Sequence, residues 1–295
     1  MDENRDRVHS AGEDSQEYAK FILELLQAEQ HSDIQLIYSM LAQRQHLLNA
    51  RFAETLQQVA QNLIAQNLET IELIVALIEN LSIHIKKFPR GSRSNNIEIA
   101  ITGYQIVLNN RQPGSEKFAQ TQNNLANAYS NRINGSRAEN LERAIEFYEA
   151  ALTVYALEDF REDWATTQNN LANAYSNRIN GSRAENLERA IEFYEAALTV
   201  YALEDFREDW ATTQYNLAIA YSDRINGSRA ENLERAIEFY EAALTVYTLE
   251  DFPEYWADTQ NNLGEAYRNR INGSRAENLE RAIEFYEAAL TVYTL

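Results

Sequence analysis

The chain contains no cysteine. That excludes disulfides and thiolate zinc sites, and nothing in it points to an oxidising compartment. No run of lysine and arginine breaks the net charge of −19, so neither nucleic acid nor an anionic membrane is expected as a partner. Long apolar runs are missing too. The longest, Leu73–Ile78, is far short of a membrane span, and the first eighteen residues hold no apolar stretch that would read as a secretory signal. Only four histidines occur, His9, His31, His46 and His84, and they make no close pair in sequence. No metal, cofactor or catalytic site is expected, and the reading is of a soluble, cytoplasmic protein.

What is present is repetition. "ENLERAIEFYEAALTVY" occurs four times, from Glu139, Glu185, Glu231 and Glu277, with a period of 46. A weaker copy starts at Gly91, and "ENLSIHI" (79–85) aligns with "NNLANAY" (123–129). There are therefore five units, which together predict the architecture. In the second segment of a unit, Leu187, Ala190, Ile191, Tyr194, Ala197, Leu198 and Tyr201 recur at helical spacing. Ser182 and Glu185 form a capping box before it. The first segment is expected to start at an Asp159-x-x-Glu162 cap, to bury Phe160, Trp164, Leu171, Tyr175 and Ile179, and to stop near Asn180-Gly181. A helix pair of this kind cannot bury its stripe alone, so neighbours must stack into a solenoid. Residues 1–14 are polar and expected to be disordered. Residues 15–66 carry helical patterning (Phe21, Ile22, Leu25; Ile34, Ile37, Leu41; Phe52, Leu56, Val59, Leu63) and are expected to cap a 67–295 array.

The blocks Gly135–Asn180 and Gly181–Asn226 are identical at 43 of 46 positions. The three changes are Asn169 to Tyr215, Asn173 to Ile219 and Asn177 to Asp223. Residues i, i+4 and i+8 share one helix face. Meanwhile Glu188, Arg189, Glu192 and Glu195, read as a solvated outer face, do not change from the preceding block. Two readings stand side by side: diversification of a binding face, and drift on an exposed one.

Leu263-Gly264-x-x-Tyr267 followed by Ala282-x-x-x-Tyr286 resembles the tetratricopeptide repeat family. The other units carry alanine for the glycine, glutamine (Gln168, Gln214, Gln260) replaces the family's early tryptophan, and its closing proline is missing. The paired asparagines look like the kinesin-light-chain subtype, and the long period is similar to arrays in bacterial proteins that carry a caspase-like (CHAT) protease domain. No such domain is present here, so that activity is not carried over; a sensor region of a larger effector and a self-assembling structural protein remain as alternatives. The resemblance implies a right-handed all-α superhelix of five helix pairs whose first helices line a concave peptide-binding groove. The implied groove positions are Asn123, Asn127 and Asn131; Asn169, Asn173, Ser176 and Asn177; Tyr215, Ile219 and Asp223; and Asp258, Asn261, Glu265, Arg268 and Asn269. Beside them runs a ladder of Asn124, Asn170, Asn216 and Asn262, extended by Asn80. Each amide offers two donors and an acceptor, which suits an extended peptide backbone. Bonding of these asparagines to a neighbouring helix is the open structural alternative.

Three further features receive bland readings. The Asn-Gly-Ser of each "INGSR" is read as a turn, Arg132, Arg178, Arg224 and Arg270 as cations complementing helix C-termini, and Glu142, Glu146 and Glu149 as outer-face charge. The last helix repeats the internal ones up to Tyr293, so Ile283, Tyr286, Ala289, Leu290 and Tyr293 are expected to leave an apolar strip uncovered. Either the chain is part of a longer one or that strip meets another copy; with the N-terminal end capped, a closed homodimer through it is favoured.

Overall fold

The computed structural model describes the backbone of residues 2–293 and side chains of residues 15–293 except Leu68. The expectation of disorder at 1–14 falls outside the described side chains. The helices are α1 (Asp2–Gln30), α2 (Ile34–Gln43), α3 (Ala50–Gln66), α4 (Ile71–Lys87), α5 (Arg93–Leu108), α6 (Glu116–Ser130), α7 (Arg137–Leu152), α8 (Arg161–Ser176), α9 (Arg183–Leu198), α10 (Arg207–Asp223), α11 (Arg229–Leu244), α12 (Pro253–Asn269) and α13 (Arg275–Tyr293). No strand occurs among the described residues. The architecture is the all-α helix-pair solenoid with an N-terminal helical cap. Two compact units divide it, residues 1–154 and 155–295.

In the N-terminal unit, α1, α2 and α3 pack on α4. Phe21, Ile22, Leu25, Ile37, Leu41, Phe52 and Leu56 form one core with Val75, Ile78, Leu81 and Ile85. Of the expected pattern, Leu63 packs against this core half-buried, and Ile34 alone is exposed. His84 accepts or donates a 2.7 Å hydrogen bond to buried Glu29, tying α4 to the cap. α5 is apolar around most of its circumference because it is covered twice. Ile99, Ile106 and Val107 face the cap core, while Ile97, Ala100 and Tyr104 meet Leu125 and Ala128 of α6. A buried ion pair crosses the same region: Arg111 lies 2.7 Å from Glu79, which also accepts a 2.8 Å bond from Thr121. Desolvating two charges is repaid only by such additional bonds.

In the C-terminal unit, α8 and α9, α10 and α11, and α12 and α13 form three helix pairs. Ser182 and Ser228 accept bonds from the Glu185 and Glu231 amides, as the capping boxes require. The cap expected at Asp159 is not formed. Phe160 is the N-cap of α8 and, having no side-chain acceptor, makes no capping bond, while the Asp159 and Phe160 amides both donate to the Ala156 carbonyl. Glu162 and Asp163 still place negative charge in the first turn. α8 also ends sooner than expected, at Ser176 with Asn177 as its C-cap, so Ile179 falls in the following loop and is 60% exposed rather than buried. That loop is closed by Asn186, buried in α9, whose amide donates to the Asn180 carbonyl at 2.9 Å. Gly181 sits in it at φ 79°, where a side chain would be strained.

The loop arginines do more than cap. Arg224 grips Glu188 of the preceding pair at 2.8 and 2.6 Å, and Arg270 grips Glu234 at 2.9 and 2.6 Å. Arg132 does the same to Glu98 in the N-terminal unit. The outer-face carboxylates are thus partly engaged: Glu188 by Arg224, and Glu195 by the Tyr221 hydroxyl at 3.1 Å. The bidentate hydrogen bonds hold the Glu188 and Glu234 carboxyls below the usual carboxylate range, against the opposing effect of burial.

Candidate functional site

The expected groove positions are all half-buried or exposed, and none is in the core. In the N-terminal unit, Asn80 and Asn131 are exposed, and Asn123, Asn124 and Asn127 half-buried. Asn127 accepts a 2.9 Å bond from Lys86, and Asn131 donates back to the Asn127 carbonyl at 2.8 Å. Burial, assisted by neighbouring Lys87, lowers the Lys86 ammonium to about 8. The Asn123 carbonyl oxygen is buried without a described partner.

In the C-terminal unit, the first helices α8, α10 and α12 lie side by side. Here the two asparagines of each pair separate in role. Asn169 accepts a 3.2 Å bond from Thr213 and so links α8 to α10. Asn173 accepts from the Tyr194 hydroxyl at 2.8 Å, and Asn177 donates to the Asn173 carbonyl. Asn170 and Asn216, by contrast, make no side-chain hydrogen bond among the described residues, although both are partly solvent-exposed. Asn262 is the exception in the ladder, donating to the Tyr215 hydroxyl at 2.8 Å. Tyr215 is half-buried, with its ring edge-on to Tyr240 at 6.0 Å, so it is more than an exposed anchor.

Ile219 and Asp223 of α10 open onto a cavity of about 400 Å³. Ser222 on α10 and Arg229, Leu233 and Tyr240 on α11 complete one side. Asn262, Glu265, Ala266 and Asn269 of α12 complete the other. Asn261 is exposed outside this lining. Burial would raise the Glu265 carboxyl, but hydrogen bonds from Asn269, Tyr286 and Arg268 outweigh it and hold it below its usual range. Asp223 pairs with Arg183 at 3.1 Å. Five residues from the stripe and ladder therefore meet in one cavity, together with Ser222, the counterpart of Ser176, while Arg229, Leu233, Tyr240 and Ala266 were missed. Tyr240 reads in sequence as the aromatic of the Ala-x-x-x-Tyr core motif, which conceals that one edge faces a cavity.

A family model described as tetratricopeptide repeat matches residues 118–152, 164–198, 210–253 and 256–290, just over half of the chain. The chain belongs to the tetratricopeptide repeat family. The four matched repeats correspond to the pairs α6–α7 to α12–α13, and α4–α5 lies outside them. Among solved structures the chain is similar to the crystal structure of BtubC (BKLC) from P. vanneervenii, with a TM-score of 0.57 and 21% identity over 82% of this chain and 88% of that one. At that identity the likeness is one of fold. No curated protein matches. Among the described residues no cluster of His, Cys, Asp or Glu could hold a metal ion. No described helix is long and apolar enough to cross a membrane.

Proposed function

We propose that this tetratricopeptide repeat protein is a scaffold that receives an extended protein segment along the first helices of its pairs. The observation carrying this reading is the division of labour between adjacent asparagines. Asn169 and Asn173 are consumed by the fold, whereas Asn170 and Asn216 recur in step with the repeat and leave their amides to solvent. A half-exposed amide that contributes no internal bond is available to a peptide backbone. The adjoining cavity at Ile219 and Glu265 supplies a place for one side chain of the segment.

Panning a random peptide library against the protein tests this. Asn170→Ala combined with Asn216→Ala is expected to weaken the selected peptides by about 1–3 kcal/mol, since two backbone groups lose their partners. Its melting temperature should match the parent's. Normal binding by the double variant, or its early unfolding, overturns the assignment. A second reading concerns self-association. Leu279, Ile283, Leu290 and Tyr293 form an exposed apolar strip on α13, which supports a homodimer through that helix.

A further inference from the structure

The three residues that set the fourth pair apart from the third do not change its chemistry at random. At the cavity, Ile219 replaces the asparagine found at Asn173, and Asp223 replaces the one at Asn177. On the opposite wall, Glu265 stands where the preceding helix carries Ile219 itself. The equivalent positions one pair earlier hold Asn173, Asn177, Ile219 and Asp223, so the cavity has exchanged two asparagines for one and carries one more carboxylate, with its isoleucine moved to the α10 wall. We propose that it receives an arginine or lysine side chain of the bound segment, an assignment that rests on the peptide-scaffold reading.

The dimensions and polarity fit that occupant. About 400 Å³ accommodates a long side chain, and Ile219, Leu233 and Ala266 offer apolar surface for its methylene stem. Asp223 and Glu265 line the same cavity and offer carboxylate acceptors for its cationic head. Each has an arginine already, but those pairs are open to solvent. The side chains of Arg183 and Asp223 are 43% and 53% exposed, and those of Arg268 and Glu265 54% and 45%. Exposed pairs of this kind hold weakly and admit a second cation. Arg229, the one cation lining the cavity, donates to the Ser222 carbonyl.

A hydroxyl is also released. Tyr194 donates to Asn173, and Tyr286 donates to Glu265. Tyr240 occupies the same place in the fourth pair, is 2% exposed, and faces Ile219, which can accept nothing. It keeps Ser222 as a partner and has capacity for one more, directed into the cavity. The net charge of −19 favours approach of a basic segment over an acidic one.

The test uses the full chain labelled with ¹³C at isoleucine δ1 methyls, with the Ile219 signal assigned by its loss in Ile219→Val. N-acetyl-arginine amide and N-acetyl-lysine amide should shift that signal saturably, and N-acetyl-glutamate amide should not. Asp223→Asn with Glu265→Gln should lower the arginine affinity by about tenfold. Asparagine already occupies the Asp223 position at Asn177 and Asn269, so that half of the variant is native to the fold. No response to arginine, an equal response to glutamate, or an undiminished response in the double variant overturns the assignment. Peptide panning separates the two readings. Selected peptides that share no basic residue sink the cavity assignment and leave the scaffold standing. An arginine response without any selected peptide supports the cavity and sinks only the scaffold.

Discussion

Asn173, Ile219 and Glu265 occupy one position of the repeat, and the hydroxyl of the following helix responds to each differently. Tyr194 has a carboxamide acceptor at 2.8 Å, Tyr286 a carboxylate at 3.0 Å, and Tyr240 the aliphatic side chain of Ile219. Tyr194→Phe should therefore cost about 1 kcal/mol in urea unfolding, because Asn173 loses its donor. Tyr240→Phe should cost clearly less. Equal losses would mean that the serine partners, not the stripe residues, dominate both sites. At this scale the sequence revealed the stripe but not its wiring. Adjacent residues on a helix point about 100° apart, and which of Asn169 and Asn170 meets a neighbour depends on where Thr213 sits across the helix interface. That is a property of packing, invisible to a pattern along one chain. The same limit applies to Tyr215, whose ring reads as a groove anchor in sequence yet is bonded to Asn262 and packed on Tyr240.

Helices and their core faces were legible because apolar spacing and serine caps are local signals. Helix ends and inter-pair contacts were less so. The loop after α8 shows why: Asn186 closes it from within the next helix, six residues on, where a polar residue in a helix pattern does not read as buried. The arginines ending the first helices were read through the helix dipole, but their dominant partners are carboxylates on the preceding pair. This has a pH signature. The Glu188 and Glu234 carboxyls are depressed in the folded state, chiefly by hydrogen bonds from Arg224 and Arg270. Their contribution is then present above the unfolded carboxyl value of about 4.3 and is lost as pH falls through the folded value. Glu188→Gln with Glu234→Gln should be less stable than the parent at pH 7, by about 1 kcal/mol per pair at most. The gap should begin to narrow as pH falls below the unfolded carboxyl value of about 4.3 and close once the parent's depressed carboxyls are protonated. A gap that persists in acid would show that the glutamates act by packing, not charge.

At the scale of the whole molecule, the repeat supplies its own control for the last helix. The nineteen residues of α13, Arg275–Tyr293, repeat Arg229–Tyr247, the stretch that contains α11, so differences between them do not come from their sequence. Leu233 and Ile237 are 1% and 5% exposed, whereas their equivalents Leu279 and Ile283 are 37% and 55% exposed. Tyr247 is 2% exposed and Tyr293 54%. The strip differs from the one expected in two respects: Ala289 is buried against α12, and Tyr286 is half-buried and bonded to Glu265. Leu279, Ile283, Leu290 and Tyr293 are the members that remain open. Burying a side chain of this size is worth about 1.5–3 kcal/mol before the costs of association are met. One helix face per copy is a small interface, so a dimer of about micromolar strength or weaker is expected. Light scattering across a hundredfold dilution should show the mass falling from two copies towards one. Ile283→Glu with Leu290→Glu should be monomeric throughout, and more soluble. Tyr286 is a poor site for this test, since its loss would disturb Glu265 and the cavity beside it. A parent that is monomeric at every concentration, and no less soluble than the double variant, removes the case for a second copy on α13.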